Sequence, residues 1–257
     1  MSLAILLAAY GSRQAGARAA VEHLRERVRA AYPDAACAVA YTSRAVRRHL
    51  NRDGQEADSV PAALDKLRDQ GFRRVAVLSL HIVPGEEYSG VAEAASAVPD
   101  LRVELGGPLM SQETDVERVA DILAAHFPAG GRGEAVLFMG HGGAHPGNAL
   151  YLRLDEALRR RDPGLHLGLL ESEPGIEALR DRLLAQGARS VLLLPFLFGA
   201  GYHAVQDLAG DGPDSWRGHL TRAGLDCRVE LKAAGDYPEL VDLWLAHLRR
   251  AVDRLAA

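Results

Sequence analysis

Residues Ala4–Ser12 read AILLAAYGS, and residues Ala135–Gly143 read AVLFMGHGG. Each stretch is an apolar run that ends in a glycine-containing turn, and Tyr10 of the first aligns with His141 of the second. An apolar run of this length is typical of a strand that is buried on both faces of a parallel sheet. Their repetition predicts that the chain is built from two similar α/β halves.

A second pair of stretches repeats in the same way. Residues 71–88 read GFRRVAVLSLHIVPGEEY and residues 187–204 read GARSVLLLPFLFGAGYHA, with Glu87 aligned on His203. Apolar runs alternate along the chain with segments of helical periodicity, which predicts right-handed crossovers and parallel sheets. The expected fold class is therefore α/β, with two similar doubly wound parallel-sheet domains related by an internal pseudo-twofold and separated by a cleft.

The expected domain boundary lies in the segment PAGGRGE, residues 128–134, whose glycine and proline content is typical of a linker. Residues 1–128 would then form the N-terminal half, and residues 129–257 the C-terminal half with most of the metal ligands. The last amphipathic segment, Pro238–Leu255, has two open alternatives. It packs either on the first half or on another subunit of a homo-oligomer.

The composition excludes several functional classes. The net charge of −4 gives no global field that would favour nucleic acid or an anionic membrane, so neither is an expected partner. Cys37 and Cys227 belong to no Cys-x-x-Cys pattern, which argues against a structural zinc site and suits a reducing cytoplasm. The first apolar run is too short to span a membrane. Neither glycine turn has the G-x-G-x-x-G form, which argues against a nucleotide cofactor.

Side chains that bind metals follow several of the predicted strands. His81 and Glu87 follow one strand, while His141, Glu171 and His203 follow three strands of the second half. Ligands of parallel sheets bind beyond the carboxyl ends of the strands, where these residues are expected to lie. Imidazole and carboxylate groups are typical ligands of a borderline divalent ion. No thiolate is offered, so a tightly held zinc ion is not favoured.

Each of these residues also has a structural interpretation. A single histidine at a strand end is commonly a hydrogen-bond anchor, and Glu171 is placed to cap the helix expected near Gly175. Glu86 and Glu87 would favour the N-terminus of the next helix. The basic stretch after Thr42-Ser43 is either solvated or binds a polyanionic ligand through carboxylate contacts.

Five stretches, in this order, together resemble the anaerobic sirohydrochlorin cobaltochelatases, the CbiK type of class II chelatase. They read TSRAVRRHLNRDG (42–54), SLHIVPGEEY (79–88), VLFMGHGGAHPGNALY (136–151), LLESEPG (169–175) and GAGYHAVQDLAGDGPDSWRGHL (199–220). The resemblance covers nearly the whole chain. It implies insertion of Co²⁺, as the substrate metal, into sirohydrochlorin at the early cobalt-insertion step of anaerobic cobalamin synthesis, without an organic cofactor.

The resemblance also implies roles for individual residues. His141, Glu171 and His203 would be the metal ligands, and His141 would also accept the pyrrole protons. Glu87 would face them from the first domain and assist proton removal or metal delivery, so that His141, Glu87 and His203 form the catalytic set.

Sirohydrochlorin is a flat tetrapyrrole with acetate and propionate side chains, which arginine side chains suit. The residues expected to bind it are Tyr10, Ser12, Arg13, Arg44, Arg47 and Arg48. The first turn reads AAYGSRQAG where the family commonly has Phe-Gly-Thr-Ser, so Tyr10 is expected to contact the macrocycle differently and is given no catalytic role.

Two alternative functions stay open at this stage. The first is insertion of Fe²⁺ or Ni²⁺ into the same tetrapyrrole, because imidazole and carboxylate ligands accept all of these ions. The second is a carrier that binds the tetrapyrrole or the metal without turnover.

Overall fold

The computed structural model describes residues 3–128 and 133–257. The chain divides into two compact units. The first contains the residues up to Ser111 together with Pro238–Ala257, and the second is Gln112–Tyr237.

The first unit is a four-stranded parallel sheet with helices between its strands, in the strand order β2-β1-β3-β4. Alternate residues of the central strand β1 (Ala4, Leu6 and Ala8) pack in one core cluster with apolar residues of α3 and α4. The elements are β1 (Leu3–Ala9), α1 (Ala15–Ala31), β2 (Ala36–Tyr41), α2 (Arg44–Arg52), α3 (Val60–Asp69), β3 (Arg74–Ser79), α4 (Glu86–Ser96), β4 (Arg102–Gly106) and, from the end of the chain, α9 (Pro238–Ala256).

The second unit repeats this sheet in the order β6-β5-β7-β8, again with all strands parallel. Its central strand contributes Ala135, Leu137 and Met139 to a core cluster with residues of α7 and α8. The elements are α5 (Glu113–His126), β5 (Glu134–Gly140), a 3₁₀-helix (Pro146–Asn148), α6 (Ala149–Arg161), β6 (Leu165–Leu169), α7 (Ile176–Ala185), β7 (Ser190–Pro195), a π-helix (Ala204–Leu208), α8 (Trp216–Arg222), β8 (Asp226–Val229) and a second 3₁₀-helix (Ala234–Asp236).

The shared strand order confirms the α/β class and the repeated parallel sheets. β1 and β5 hold the same place in their sheets, as do β3 and β7. Tyr10 and His141 therefore follow equivalent strands, and so do Glu87 and His203. Within the described residues, no helix has the length and apolar character needed to cross a membrane.

The two units divide at other positions than the sequence analysis expected. α5 belongs to the second unit because it packs against α6, where Glu117 pairs with Arg161 at 2.9 Å. The expected linker falls partly on residues 129–132, which lie outside the described residues. The boundary expected between residues 128 and 129 thus falls inside the second unit, after its first helix α5.

The last helix, α9, packs on β3 and β4 of the first unit, and Trp244 on this helix is fully buried. Arg254 fixes its C-terminal turn, since Nε donates to Glu104 Oε2 at 2.7 Å and one terminal nitrogen donates to the Leu105 carbonyl at 2.8 Å. These contacts are the ones expected of packing on the first half.

Candidate metal and tetrapyrrole site

Three polar side chains follow the carboxyl ends of three adjacent strands in the second unit. His141 comes directly after β5, Glu171 follows β6, and His203 ends the loop after β7. Because β5 lies between β6 and β7 in the sheet, His141 is the central member of the three. This is the edge at which open parallel sheets bind their ligands.

Backbone contacts hold the turn after β5 against the turn after β6. The Glu171 N–H donates to the His141 carbonyl at 2.8 Å, and the Gly143 N–H donates to Ser172 Oγ at 3.3 Å. Gly142 has a φ of 82°, and a Cβ there would lie 2.5 Å from Ser172 Oγ. Glycine is therefore required for the two turns to approach this closely.

The side chains of the three residues come together around His141. Its Nδ1 lies 3.6 Å from Glu171 Oε2, and its ring meets the His203 ring edge to face with the centroids 4.9 Å apart. The His141 and Glu171 side chains are 39% and 56% exposed, so solvent reaches both. Within residues 3–128 and 133–257, no group of three or more His, Cys, Asp or Glu side chains is placed to hold a metal ion. His141, Glu171 and His203 would therefore have to rotate before all three could bind one ion.

His203 is fixed by a partner that the sequence analysis did not single out. Its Nδ1 lies 2.7 Å from Asp207 Oδ2, four residues along the chain. Asp207 belongs to the π-helix, a local form that is frequent at functional sites. Tyr202, whose ring is 5.7 Å from that of His203, is 64% exposed. The four-residue spacing of His203 and Asp207 in the sequence could have indicated that their side chains meet on one helical turn.

His145, which follows the same strand as His141, has a structural role. Its Nδ1 accepts a hydrogen bond from the Gly147 N–H at 3.0 Å and so caps the short 3₁₀-helix. The alternative interpretation, in which Glu171 caps α7, is wrong. The N-cap of α7 is Gly175, whose N–H donates to Glu173 Oε2 at 2.9 Å.

In the first unit, Glu86 and Glu87 form the first turn of α4 and do not precede it. Two carboxylates suit the positive end of the helix dipole. Glu86 is exposed, whereas Glu87 is partly buried. His81 lies between β3 and this helix, with Nδ1 2.8 Å from Ser79 Oγ. Burial lowers the pKa of His81 to about 4, so its ring is neutral at physiological pH.

The expected tetrapyrrole-binding residues of the first unit follow β1 and β2. Tyr10 is 50% exposed, Arg13 is exposed, and Ser12 Oγ accepts from the Gln14 N–H at 3.1 Å near the start of α1. Two further arginines, Arg44 and Arg48, are exposed one turn apart on α2.

Arg47 differs from its neighbours on α2. One of its terminal nitrogens donates to the carbonyl oxygens of Tyr41 and Thr42, at 2.5 and 2.6 Å. These two hydrogen bonds hold the end of β2 against α2. Among the described residues, no such hydrogen bonds to the β2 carbonyls are seen for Arg44 or Arg48.

Comparison with known proteins identifies the family. The family profile for cobalt chelatase (CbiK) matches residues 3–253. The chain belongs to the CbiK family.

Two curated relatives of this CbiK-family chain are similar over most of their length. The sirohydrochlorin cobaltochelatase CbiKC of Nitratidesulfovibrio vulgaris is 39% identical over 256 residues, which cover 98% of this chain and 91% of the relative. The sirohydrochlorin cobaltochelatase of Salmonella typhimurium is 35% identical over 227 residues, which cover 87% of this chain and 86% of the relative.

Solved chelatase structures share the fold of this family member. SirB from Bacillus subtilis with Fe³⁺ superposes with a TM-score of 0.67 at 15% identity. The superposition covers 100% of this chain and 98% of the SirB chain. CbiX, described as the terminal enzyme of sirohaem biosynthesis in denitrifying bacteria, gives a TM-score of 0.55 at 18% identity, with 98% and 99% covered. At these identities the likeness concerns the fold.

Proposed function

We propose that this CbiK-family protein is a sirohydrochlorin cobaltochelatase. The observation that carries the proposal is the solvent-open group of His141, Glu171 and His203 at three adjacent strand ends. Two curated relatives at 39% and 35% identity carry this activity in their names, which supports the choice of substrate.

The reaction exchanges two protons for one metal ion. Co²⁺ loses water, the two ring N–H bonds of sirohydrochlorin break, and four nitrogen–cobalt contacts form without any change in oxidation state. No organic cofactor enters this balance. A donor set that is open and contains no thiolate suits the task, because a complete thiolate site would retain the metal.

We assign metal delivery to His141, Glu171 and His203, which lie together in the second unit. The His141 ring has solvent access, and we assign it as the acceptor of a pyrrole proton. Glu87 is the proposed second acceptor. This partly buried carboxylate is held on a helix turn rather than on a loose loop.

Tetrapyrrole binding is assigned to the strand-end residues of the first unit. Arg13, Arg44 and Arg48 are exposed guanidinium groups that suit the acetate and propionate side chains. Tyr10 offers an exposed ring and Ser12 a hydroxyl at the end of β1. Arg47 is proposed to act indirectly, by holding α2 in place through the two carbonyl contacts.

The proposed place of the reaction is the cytoplasm, at the early cobalt-insertion step of anaerobic cobalamin synthesis. Cys37 and Cys227 are both free thiols, which suits a reducing compartment. A homo-oligomer stays a prediction that sedimentation velocity tests.

An anaerobic absorbance assay tests the function. Purified protein is mixed with sirohydrochlorin and, separately, with equal free concentrations of Co²⁺, Fe²⁺ and Ni²⁺. The proposal expects catalysed conversion to the cobalt product with the highest kcat/KM for Co²⁺. Faster insertion of Fe²⁺ or Ni²⁺ would change the assigned metal. Binding of the tetrapyrrole without rate enhancement for any ion would identify a carrier and contradict the proposal.

A further inference from the structure

Asp207 is a carboxylate next to the proposed metal site for which the proposed reaction has no direct use. Its Oδ2 lies 2.7 Å from His203 Nδ1, and both side chains are 34% exposed. No other hydrogen bond to its side chain is seen in the part of the chain that the structure describes. Among the described residues, the Asp207 carboxylate therefore has one hydrogen-bond partner, Nδ1 of His203.

We infer that Asp207 is a positioning residue that makes Nε2 of His203 the metal-binding nitrogen. An ionised carboxylate only accepts hydrogen bonds, so Nδ1 of His203 must carry the proton that is shared with Asp207. In a neutral imidazole the other nitrogen then has the free lone pair. Histidines that bind metals commonly donate their second N–H to a carboxylate in this way.

The surroundings of the two imidazoles differ, and this difference supports the inference. His141 Nδ1 lies 3.6 Å from Glu171 Oε2 and 3.3 Å from the Gly142 carbonyl oxygen, so no tight carboxylate contact fixes its tautomer or its rotation. His203 has such a contact, and its position just before the π-helix places Asp207 on the same turn. The Asp207 contact therefore restricts the tautomer of His203, whereas no comparable contact restricts that of His141.

The inference rests on the proposed function in that Co²⁺ is the metal delivered, but its tests do not require turnover. The first test is ¹⁵N NMR of histidine-labelled protein without metal, with the His203 signals assigned through His203→Ala. The parent chain should show the Nδ1–H form of His203. Asp207→Ala should shift His203 toward the Nε2–H form that free imidazole side chains favour, which places the proton on the metal-binding nitrogen.

The second test is titration with Co²⁺ in the absence of tetrapyrrole. Asp207→Ala should weaken Co²⁺ binding by roughly 10- to 100-fold. Asp207→Glu should restore part of the affinity. The matched control is Asp211→Ala, which removes a carboxylate four residues further on that pairs with Arg217, and its Kd should stay within about twofold of the parent value.

A double-mutant cycle separates positioning from a general effect on the fold. In a His203→Ala background, Asp207→Ala should weaken Co²⁺ binding no further, because its effect passes through His203. In insertion assays, Asp207→Ala should raise KM for Co²⁺ more than it lowers kcat. Asp207→Leu keeps much of the side-chain volume but has no hydrogen-bond acceptor, and it serves as the test variant if Asp207→Ala does not fold.

The outcomes distinguish this inference from the proposed function. An unchanged His203 tautomer, an unchanged Kd for Co²⁺, or an equal loss in the His203→Ala background would overturn the role of Asp207. If the parent chain binds Co²⁺ with the predicted dependence on Asp207 but inserts no metal into sirohydrochlorin, the positioning role holds and the proposed function fails.

Discussion

The imidazole rings of His141 and His203 meet edge to face, with centroids 4.9 Å apart and planes at 82°. His141 follows β5 and His203 follows β7, the two inner strands of their sheet. Two imidazoles at this separation can serve one small ion only if both rings turn toward it. The relationship therefore predicts that the two residues act as a unit.

Replacement of either histidine should abolish most of the insertion activity. His141→Ala and His203→Ala are each expected to lower kcat/KM for Co²⁺ insertion by more than tenfold, which is about 1.4 kcal/mol or more of transition-state stabilisation. The double variant should lose little more than either single variant. Steady-state absorbance assays measure all three, and independent, additive losses would contradict the shared role.

Glu171→Gln should raise KM for Co²⁺, because the amide keeps the shape of the side chain but loses the charge that attracts the ion. The effect on KM for sirohydrochlorin should be small. Glu173→Gln is the matched control, since Glu173 lies two residues away and accepts a hydrogen bond from the Gly175 N–H. Equal effects of the two substitutions would argue against Glu171 as a ligand.

Glu87→Gln should lower kcat by about 100-fold and leave KM for Co²⁺ nearly unchanged, because the residue is proposed to accept a proton in the chemical step. Glu86→Gln provides the control within the same first turn of α4, since its side chain is exposed. Both substitutions remove one charge from the helix N-terminus, so thermal unfolding should change alike in the two. A raised KM for Co²⁺ in Glu87→Gln would instead assign Glu87 to metal delivery.

The arginines of α2 should separate into binding and structural residues. The double variant Arg44→Gln/Arg48→Gln should raise KM for sirohydrochlorin at low salt, with a smaller effect at high salt, where surface charges are screened. Arg47→Gln should instead lower the midpoint of urea unfolding, because it removes the contacts to the Tyr41 and Thr42 carbonyls. An unaltered KM in the double variant would remove these arginines from the substrate site.

Acid should destabilise the second unit through His166, which is fully buried in β6. Burial lowers the pKa of His166 to about 4, against the opposing effect of the nearby Asp155 carboxylate. The unfolded chain therefore binds a proton between about pH 6.5 and pH 4 that the folded chain does not. The free energy of unfolding should fall through this window as the pH falls.

His166→Gln is the variant for this measurement, with urea unfolding followed at pH 7 and pH 5. It should lose stability at pH 7, where the histidine packs as a neutral ring, and show a shallower loss between the two pH values. A pH dependence as steep as that of the parent chain would exclude His166 as its source.

The sequence alone predicts where the strands lie and which residues follow them. Apolar runs such as Ala4–Ala9 predict buried parallel strands, and the turn after each run locates the residues at the sheet edge. This pattern placed His141, Glu171 and His203 at the sheet edge, where the structure also has them. What brings the three residues together is the strand order, which places β5 between β6 and β7.

Other features are harder to read from local sequence. The His203–Asp207 contact joins residues four apart, a spacing that many exposed residues share without forming such a contact. Arg47 resembles Arg44 and Arg48 in sequence, and only the position of the β2 carbonyls distinguishes it. The assignment of α5 and α9 to the two units depends on which sheet or helix each one packs against.

The return of α9 to the first unit has a consequence for protein engineering. The chain leaves the first unit after Ser111 and re-enters it at Pro238, so the duplicated folds are not two consecutive blocks of the gene. A fragment that ends between residues 111 and 238 lacks the helix that covers β3 and β4, and it exposes their apolar side chains to solvent. Splitting this protein into autonomous modules would require grafting that terminal helix back onto the amino-terminal piece, for instance by circular permutation.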